Sequence, residues 1–342
     1  MRALSQSPTL EEVAALAGVS RASASRVITG SPRVSAGTRR AVERAASKLG
    51  YVPNRAARSL VRRRTDSFGL VIPEPTTHVF GDPFFPRLVK GVNEEAAARG
   101  FQLVLFTPQS PQDETRLEQY LIGGHVDGVL LVSLHGDDPL PRHLAARRVP
   151  TVIGGRPPAD APVSYVDIDN QGGAAAAVRH LASIGRRRIA TITGPLDMPV
   201  GADRLAGYRA GLVAAGLPHD RRLEAVGDFT AEGGSRAARE LLSRTPGIDG
   251  VFIASDPMAS AALHVFVQAG RRVPADIAIV SFDDSAIALS TSPTLSSVRQ
   301  PIEEMGREMA RLLLAAVTSD AGRIPRHVIL PAELVVRASS GG

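Results

Sequence analysis

The pattern of apolar positions changes character near residue 65. Before it, apolar residues recur at helical spacing in three short runs. Leu10, Val13, Ala14, Leu16 and Ala17 share one helical face. Thr9-Leu10-Glu11-Glu12 opens that run as a capping box, a Thr N-cap with an acid three residues on. Gly18 ends it, because glycine accepts a positive φ at little cost, and Val19 can plug the gap to the next helix. Ser20 caps a second helix, Arg21 to about Ile28, whose inward face is Ala24, Val27 and Ile28. A third runs from the Ser35 cap to about Leu49 on a stripe of Ala41, Val42, Ala45, Ala46 and Leu49, and Gly50 stops it. Helix, short glycine-bearing turn, helix is the helix-turn-helix pattern. Residues 51–64 then predict one short basic helix starting at Pro53. Alone it is marginal, and it is expected to fold on meeting DNA and a partner copy.

After Thr65 strand-like runs alternate with helical ones. Strands are predicted at Phe68–Ile72, Phe101–Phe106, Gly128–Val132 and Val149–Ile153, with helices near Phe84–Arg99, Asp113–Leu121 and Leu140–Ala146. A second series has strands near Val163–Ile168, Arg188–Thr193, Glu224–Val226, Val251–Ala254 and Ile277–Phe282. Its helices lie near Asn170–Ile184, Gly201–Ala215, Ala231–Ser243 and Met258–Ala269. Such alternation predicts doubly wound parallel sheets. The expected fold is an all-α helix-turn-helix head on an α/β body of two doubly wound parallel-sheet lobes. The expected divisions are 1–50, a hinge helix at 51–64, and a body at 65–342. Lobe 1 would hold about 65–165 and 294–325, and lobe 2 about 166–293 and 326–342. The last helix, near Ile302–Ala316, would return to lobe 1, and a strand near His327–Val336 to lobe 2.

Composition narrows the class. The 342 residues, 44% hydrophobic and 22% charged, are those of a soluble globular chain of two or three domains. No run of 18 apolar residues predicts a membrane span. The N-terminus lacks the apolar stretch of a signal peptide, and there is no cysteine, which together fit a cytoplasmic protein. The overall charge of +6 is uneven. Residues 1–64 carry 13 Arg and Lys against three acids, a net +10, which leaves −4 for the rest. A basic head on a mildly acidic body is the footprint of a nucleic-acid binder. The outward face of the second helix holds Arg21, Ala22, Ser23, Ser25 and Arg26. Arginine forks onto guanine O6 and N7, and alanine can touch only a thymine methyl. Thr9, Ser23 and Ser25 suit phosphate contacts, which position without specifying. Leu60, apolar within a basic stretch, can pack on its neighbours or wedge a minor groove.

No catalytic, metal or cofactor pattern stands out. There is no G-x-S-x-G, Walker loop, H-E-x-x-H or G-x-G-x-x-G after a strand. Asp283-Asp284 could form an acid/base pair but lacks a partner nucleophile, so the chain is not read as an enzyme. Strand-end residues converge better on a sugar site, since ligands bind beyond the carboxyl ends of such strands. Asp283, Ser255, Asp256, Arg204 and Phe229 all follow second-lobe strands. Carboxylate and arginine suit hydroxyls, and an aromatic suits a ring face. Asp256 has a second reading as the N-cap of its helix, and Phe229 one as core.

The head motifs carry a specific resemblance. Leu10-Glu11-Glu12-Val13-Ala14, Ala17-Gly18-Val19-Ser20, Ser25-Arg26-Val27, Val34-Ser35, Thr38-Arg39, Gly50-Tyr51, Pro53-Asn54 and Ala56-Ala57 with Leu60 resemble the lactose-repressor (LacI/GalR) family without a gap. The resemblance implies a homodimer on a pseudo-palindromic double-stranded operator. It puts Arg21, Ala22 and Arg26 at bases, Ser20 in the DNA-binding set, and Asn54, Ala57 and Leu60 in the hinge helix. In the body, Gly194-Pro195, Arg204-Leu205, Gly207-Tyr208, Gly227-Asp228-Phe229, Ala254-Ser255-Asp256, Met258-Ala259 and Phe282-Asp283-Asp284 resemble the family's effector domain, itself similar to periplasmic sugar-binding proteins. That implies hydroxyl contacts from Arg204 and Asp283 and stacking by Phe229. Ser255 departs from the asparagine of the lactose repressor and offers a hydroxyl in its place. Asp82-Pro83-Phe84-Phe85 matches a loop of the first lobe and makes Phe84 a second ring platform. His125 to Leu131, Gly154-Gly155-Arg156-Pro157, Val163 to Asn170 and Gly306 to Ala310 resemble the cellobiose-responsive repressors of actinobacteria. This adds Arg156 to the effector set and makes a β-glucoside, cellobiose or a cello-oligosaccharide, the expected effector of a repressor released by sugar. The rival expectations are a regulator sensing another sugar or a purine or nucleoside, as inducer or as co-repressor, a sugar-modifying enzyme with a DNA-binding head, and a nucleoid protein.

Overall fold

The computed structural model describes residues 8–52, 64–157, 161–318 and 324–341. The hinge calls Asn54, Ala57 and Leu60 lie outside the described residues. The chain divides into a unit ending at Thr65 and a larger one from Asp66.

Among its described residues the head has three helices, α1 (Leu10–Leu16), α2 (Arg21–Ile28) and α3 (Ala36–Leu49). Each starts where a side chain satisfies an orphan amide. Thr9 and Glu12 form the reciprocal box, with the Glu12 amide donating to Thr9 Oγ1 at 3.3 Å and the Thr9 amide to Glu12 Oε2 at 2.7 Å. Ser20 accepts from the Ser23 amide, and Ser35 from the Thr38 amide. Gly50 closes α3 in the left-handed conformation, φ +64°. Val13, Ala14, Ala24, Val27, Val42 and Ala45 form the small core, with Val19 packed against it from the turn.

The body is built on two six-stranded sheets. The first runs β11-β5-β4-β3-β1-β2, from β1 (Ser67–Val71), β2 (Gln102–Phe106), β3 (Gly128–Val132), β4 (Thr151–Gly154), β5 (Ser164–Ile168) and β11 (His327–Leu330). Every pairing in it is parallel. The second runs β12-β10-β9-β8-β6-β7, from β6 (Ile189–Thr193), β7 (Glu224–Val226), β8 (Gly250–Ile253), β9 (Ala278–Asp283), β10 (Ser296–Arg299) and β12 (Glu333–Val335). It is parallel except for the antiparallel β10–β12 pair. The central strands β1, β3, β6 and β9 are buried along their whole length. Helices on both faces cause this; β3 is accordingly apolar throughout, while β6 and β9 bury polar positions as well.

In the first lobe, α4 (Thr76–Gly81), α5 (Phe84–Ala98), α6 (Pro111–Ile122) and α7 (Leu140–Ala146) are joined by a late helix, α13 (Ile302–Thr318). Helices α5 and α13 pack backbone to backbone. A Cβ on Gly91 would sit 2.0 Å from the Glu303 carbonyl oxygen, and one on Gly306 would sit 2.5 Å from that of Leu88. The second lobe carries α8 (Asn170–Ser183) and α9 (Pro199–Ala214) on one face, and α10 (Ala231–Arg244) and α11 (Asp256–Gln268) on the other. A short α12 (Ala286–Ser290) follows β9.

The sequence reading needs four corrections. Strand β5, placed in the second series, hydrogen-bonds to β4 and β11 of the first sheet. Residues 294–325 do not all belong to lobe 1, because β10 pairs with β9. The single strand expected at His327–Val336 is two. Pro331 has no amide to continue a ladder, and the chain crosses there from β11 in the first sheet to β12 in the second. Helices α4 and α12 were not anticipated. The chain therefore passes between lobes three times, after β5, after β10 and after β11. Among the described residues no helix is long and apolar enough to cross a membrane.

Candidate functional site: a cleft between two sheets and a basic recognition helix

A cleft lies where the carboxyl ends of both sheets face each other. Its space is about 820 Å³ with its open mouth included. The first lobe lines it with Asp82, Phe84 and Phe85 beyond β1, Ser133 and Leu134 beyond β3, Gly154 to Arg156 at the end of β4, and Asp167 and Ile168 in β5. The second lobe adds Asn170, Met198 to Val200, Arg204, Phe229, Ser255, Asp283 and Gln300.

Arg204 is the hub. It projects from α9, is 4% exposed, and is held on several sides. Its Nε donates to Asn170 Oδ1 at 2.9 Å and its Nη1 to the Ala254 carbonyl at 2.5 Å. Asp283 Oδ1 lies 3.6 Å from Nη1. The guanidinium covers the Phe282 ring at 3.8 Å and lies 5.8 Å from the centre of Phe229. Asp283 accepts from Gln300 Nε2 at 2.6 Å and from the Asp256 amide at 3.2 Å. Its backbone is in the left-handed region, φ +114°, which turns the chain at the strand end. Burial pushes the Asp283 carboxyl well above its usual range against the pull of Arg204, and it lowers Arg204 likewise.

Phe229 also has positive φ, +64°. Its ring occupies space that only a glycine at 194 leaves, since a Cβ there would meet Cζ at 2.1 Å. The ring lines the cleft and also packs on the core beneath it. Phe84 starts α5, half-buried, with its ring edge-on to Phe85 at 5.3 Å. Ser255, not Asp256, is the N-cap of α11. Asp256 is corrected further: it is fully buried, and its oxygens accept from Ser281 Oγ at 2.5 Å, Ser297 Oγ at 2.8 Å and the Ser285 amide at 2.6 Å. It braces the floor behind the cleft and is not on its wall. Arg156 lines the rim, and its guanidinium is paired with Asp203 of α9.

Two carboxylates escaped the sequence reading. Asp82 accepts from the Phe84 amide at 2.8 Å, and burial raises it. Asp167 uses one oxygen for the Ile168 amide at 2.8 Å and Asn170 Nδ2 at 3.1 Å. Burial pushes it up to about 6. Gln300 and Asn170, which orient Asp283 and Arg204, were missed as well. Asp82, Asp167 and Asn170 stand inside stretches that carry the resemblance but were not picked out as site residues, and Gln300 stands in none of them. Only their position at the ends of β5, α4 and β10 could have flagged them.

The head presents Thr9, Ser20, Arg21, Ala22 and Arg26 to solvent, with Ser23 and Ser25 half-exposed. This matches an outward face opposite Ala24 and Val27. Arg21 is paired with Glu11 of α1, while the Arg26 guanidinium makes no hydrogen bond among the described residues. The Arg21–Glu11 pair is fully solvated, so a phosphate or a base edge can displace it.

A helix-turn-helix head joined to a two-lobed body with a cleft at its strand ends defines a DNA-binding transcriptional regulator. Models of the bacterial regulatory proteins of the lacI family match residues 9–54, and models of a periplasmic binding protein-like domain match residues 178–340. The chain belongs to the lacI family. It is 54% identical to the HTH-type transcriptional regulator CelR of Thermobifida fusca, over 97% of this chain and 98% of that one. It is 36% identical to the ribose operon repressor of Escherichia coli K12, over 94% and 97%. Among solved structures, it is similar to a CelR–cellobiose complex, with a TM-score of 0.79 and 52% identity over 97% of this chain and 99% of that one. It is also similar to a lac repressor dimer bound to operator and an anti-inducer, with a TM-score of 0.87 and 26% identity over 98% and 99%.

Proposed function

We propose that this protein represses sugar-utilisation genes as a homodimer on a pseudo-palindromic operator, and that cellobiose or a short cello-oligosaccharide releases it. The observation that carries the reading is the chemistry of the cleft. Three buried carboxylates, Asp82, Asp167 and Asp283, converge on one committed guanidinium, flanked by the rings of Phe84 and Phe229. Such a wall is rich in acceptors and poor in free cations. It suits a neutral ligand that brings many donors and flat apolar faces, which is what a glucoside offers. The relative solved with cellobiose supports the same class.

In this reading Arg204 and Asp283 hold hydroxyls, Phe229 and Phe84 stack on ring faces, and Ser255 and Arg156 contribute at the edges. On the head, Arg21, Ala22 and Arg26 read bases, while Thr9, Ser20, Ser23 and Ser25 hold phosphates. Asn54, Ala57 and Leu60 act in the hinge, with Leu60 as the minor-groove wedge. The protein works in the cytoplasm, and the cleft binds without catalysing. Asp283 is held by Gln300 and a backbone amide and not by a nucleophile. Sugar and operator oppose each other through the body, so each must weaken the other by the same factor.

The test is binding of a fluorescent pseudo-palindromic operator at fixed salt, with and without cellobiose. Release by cellobiose, but not by maltose, lactose or a purine, is expected. Tight operator binding that ignores cellobiose but responds to a purine would overturn the effector assignment.

A further inference from the structure

Two ion pairs tie the lobes together at the rim of the cleft, and one of them is built around a histidine. His135 follows β3 in the first lobe. Its Nε2 lies 3.0 Å from Glu74 Oε1, in the loop after β1 of the same lobe. Its Nδ1 lies 2.8 Å from Asp197 Oδ2, in the loop between β6 and α9 of the second lobe. Both ring nitrogens therefore face carboxylates, and both can be satisfied only if both carry protons. The next residue repeats the crossing: the Gly136 amide donates to the Asp197 carbonyl at 3.0 Å. Ser133, with its backbone at φ +58°, donates to the same Glu74 oxygen at 2.6 Å and fixes the acid that orients the ring. On the other side of the rim, Arg156 of the first lobe is paired with Asp203 of the second.

None of Glu74, His135, Asp197 and Asp203 lines the cleft, yet Glu74 accepts from Ser133, which does, and the other three stand next in sequence to a residue that does. Ser133 and Leu134 precede His135, Met198 and Pro199 follow Asp197, and Arg204 follows Asp203. We infer that Glu74, His135 and Asp197 form a latch that sets how far the two lobes close, and so tunes effector response without touching effector. The inference rests on the sugar reading only for its effect on effector affinity. The closing of the lobes stands on the latch geometry alone. Closure stabilised by the latch before ligand arrives raises the fraction of protein ready to hold it, and apparent affinity scales with that fraction.

The latch is sensitive to pH because its cation is a histidine. Glu74 and Asp197 flank the ring, and His78 on α4 also acts on Glu74. The hydrogen bond to Glu74 leads in pushing His135 up to about 9, against its partial burial. A raised histidine contributes below its unperturbed value and loses that contribution as pH rises through the raised one. The latch is therefore closed at neutral pH and released above about 9.

The experiment reads lobe separation directly. The chain has no cysteine, so Glu114→Cys on the first lobe and Ser243→Cys on the second, both exposed, take one spin label each. Labelled protein is diluted into unlabelled protein so that only the pair within one chain is measured. In ligand-free protein at pH 7, His135→Ala and, separately, Asp197→Asn are expected to lengthen and broaden the distance distribution. Asp197 is half-exposed on a loop, so its variant keeps the test available should His135→Ala fold poorly. Cellobiose affinity of the same variants is expected to fall roughly three- to tenfold, with operator affinity in the absence of sugar unchanged or higher. A distance distribution identical to that of the parent in both variants overturns the latch. Failure of the parent protein to bind cellobiose, with lobes that still spread apart in the variants, would instead remove the sugar reading and leave the latch standing.

Discussion

Replacing Asp167 by asparagine separates what the cleft needs from what the fold prefers. The Asp167 carboxyl is pushed from 3.8 to about 6, and burial is the first cause. Asp203 adds to the shift, while the Ile168 amide, Arg156 and Arg204 oppose it. A carboxylate whose folded value is raised binds protons more tightly when folded. Stability therefore falls as pH rises from the unfolded value to the folded one, and above about 6 the whole cost is present. The shift from 3.8 to about 6 corresponds to about 3 kcal/mol at neutral pH. Asparagine keeps an oxygen for the Ile168 amide and Asn170 Nδ2 and removes the buried charge. Its own amide still needs a partner in the cleft, so the net gain is expected at about 1–2 kcal/mol. In a body of this size that is a few degrees of melting temperature. The gain should be full at pH 7, shrink as pH falls below 6, and vanish below about 4, where both states of the parent are protonated. Calorimetry of the ligand-free protein across this range measures it. Titration with cellobiose at pH 7 should show affinity falling by roughly ten- to a hundredfold, the loss of a charge-assisted hydrogen bond. A variant no more stable than the parent at pH 7, or one equally stabilised at pH 4, would refute the buried-charge argument. Unchanged sugar affinity would refute a place for the Asp167 carboxylate among the acceptors the cleft offers the sugar.

Three other substitutions probe separate parts of the molecule. Arg26→Ala should weaken operator binding by about 1–3 kcal/mol and flatten discrimination between operator and a one-base variant, as measured by competition at constant salt. Gly194→Ala places a Cβ 2.1 Å from Phe229 Cζ. It should displace that ring and lower sugar affinity with operator affinity intact, which calorimetric titration and an operator shift assay read together. Gly91→Ala drives a Cβ to 2.0 Å from the Glu303 carbonyl between α5 and α13. It should cost about 1–3 kcal/mol or more, visible as a lower denaturant midpoint, with the melting of the head unchanged.

What the sequence determined by itself was everything settled within a few residues of chain. The Thr9–Glu12 box, the Ser20 and Ser35 caps and the left-handed Gly50 each close a hydrogen bond over three or four positions. The head is therefore legible residue by residue, and so is the outward face of α2. Alternation of apolar runs and helical spacing likewise announced two parallel-sheet lobes. Because ligands meet such sheets at their carboxyl ends, it pointed to Arg204, Phe229, Ser255 and Asp283, all of which line the cleft. Tertiary structure alone decided which sheet each strand joins, because a ladder is chosen by partners far away in sequence. β5 pairs with β11 across more than half of the body, and β10 leaves the lobe that the neighbouring late helix joins to pair with β9 and β12. The same physics hid Asp82, Asp167 and Gln300 and misplaced Asp256. A carboxylate at a strand end reads alike whether it faces solvent, a cleft or three serines. Only the packed neighbours, which set its burial and its hydrogen-bond donors, tell these apart.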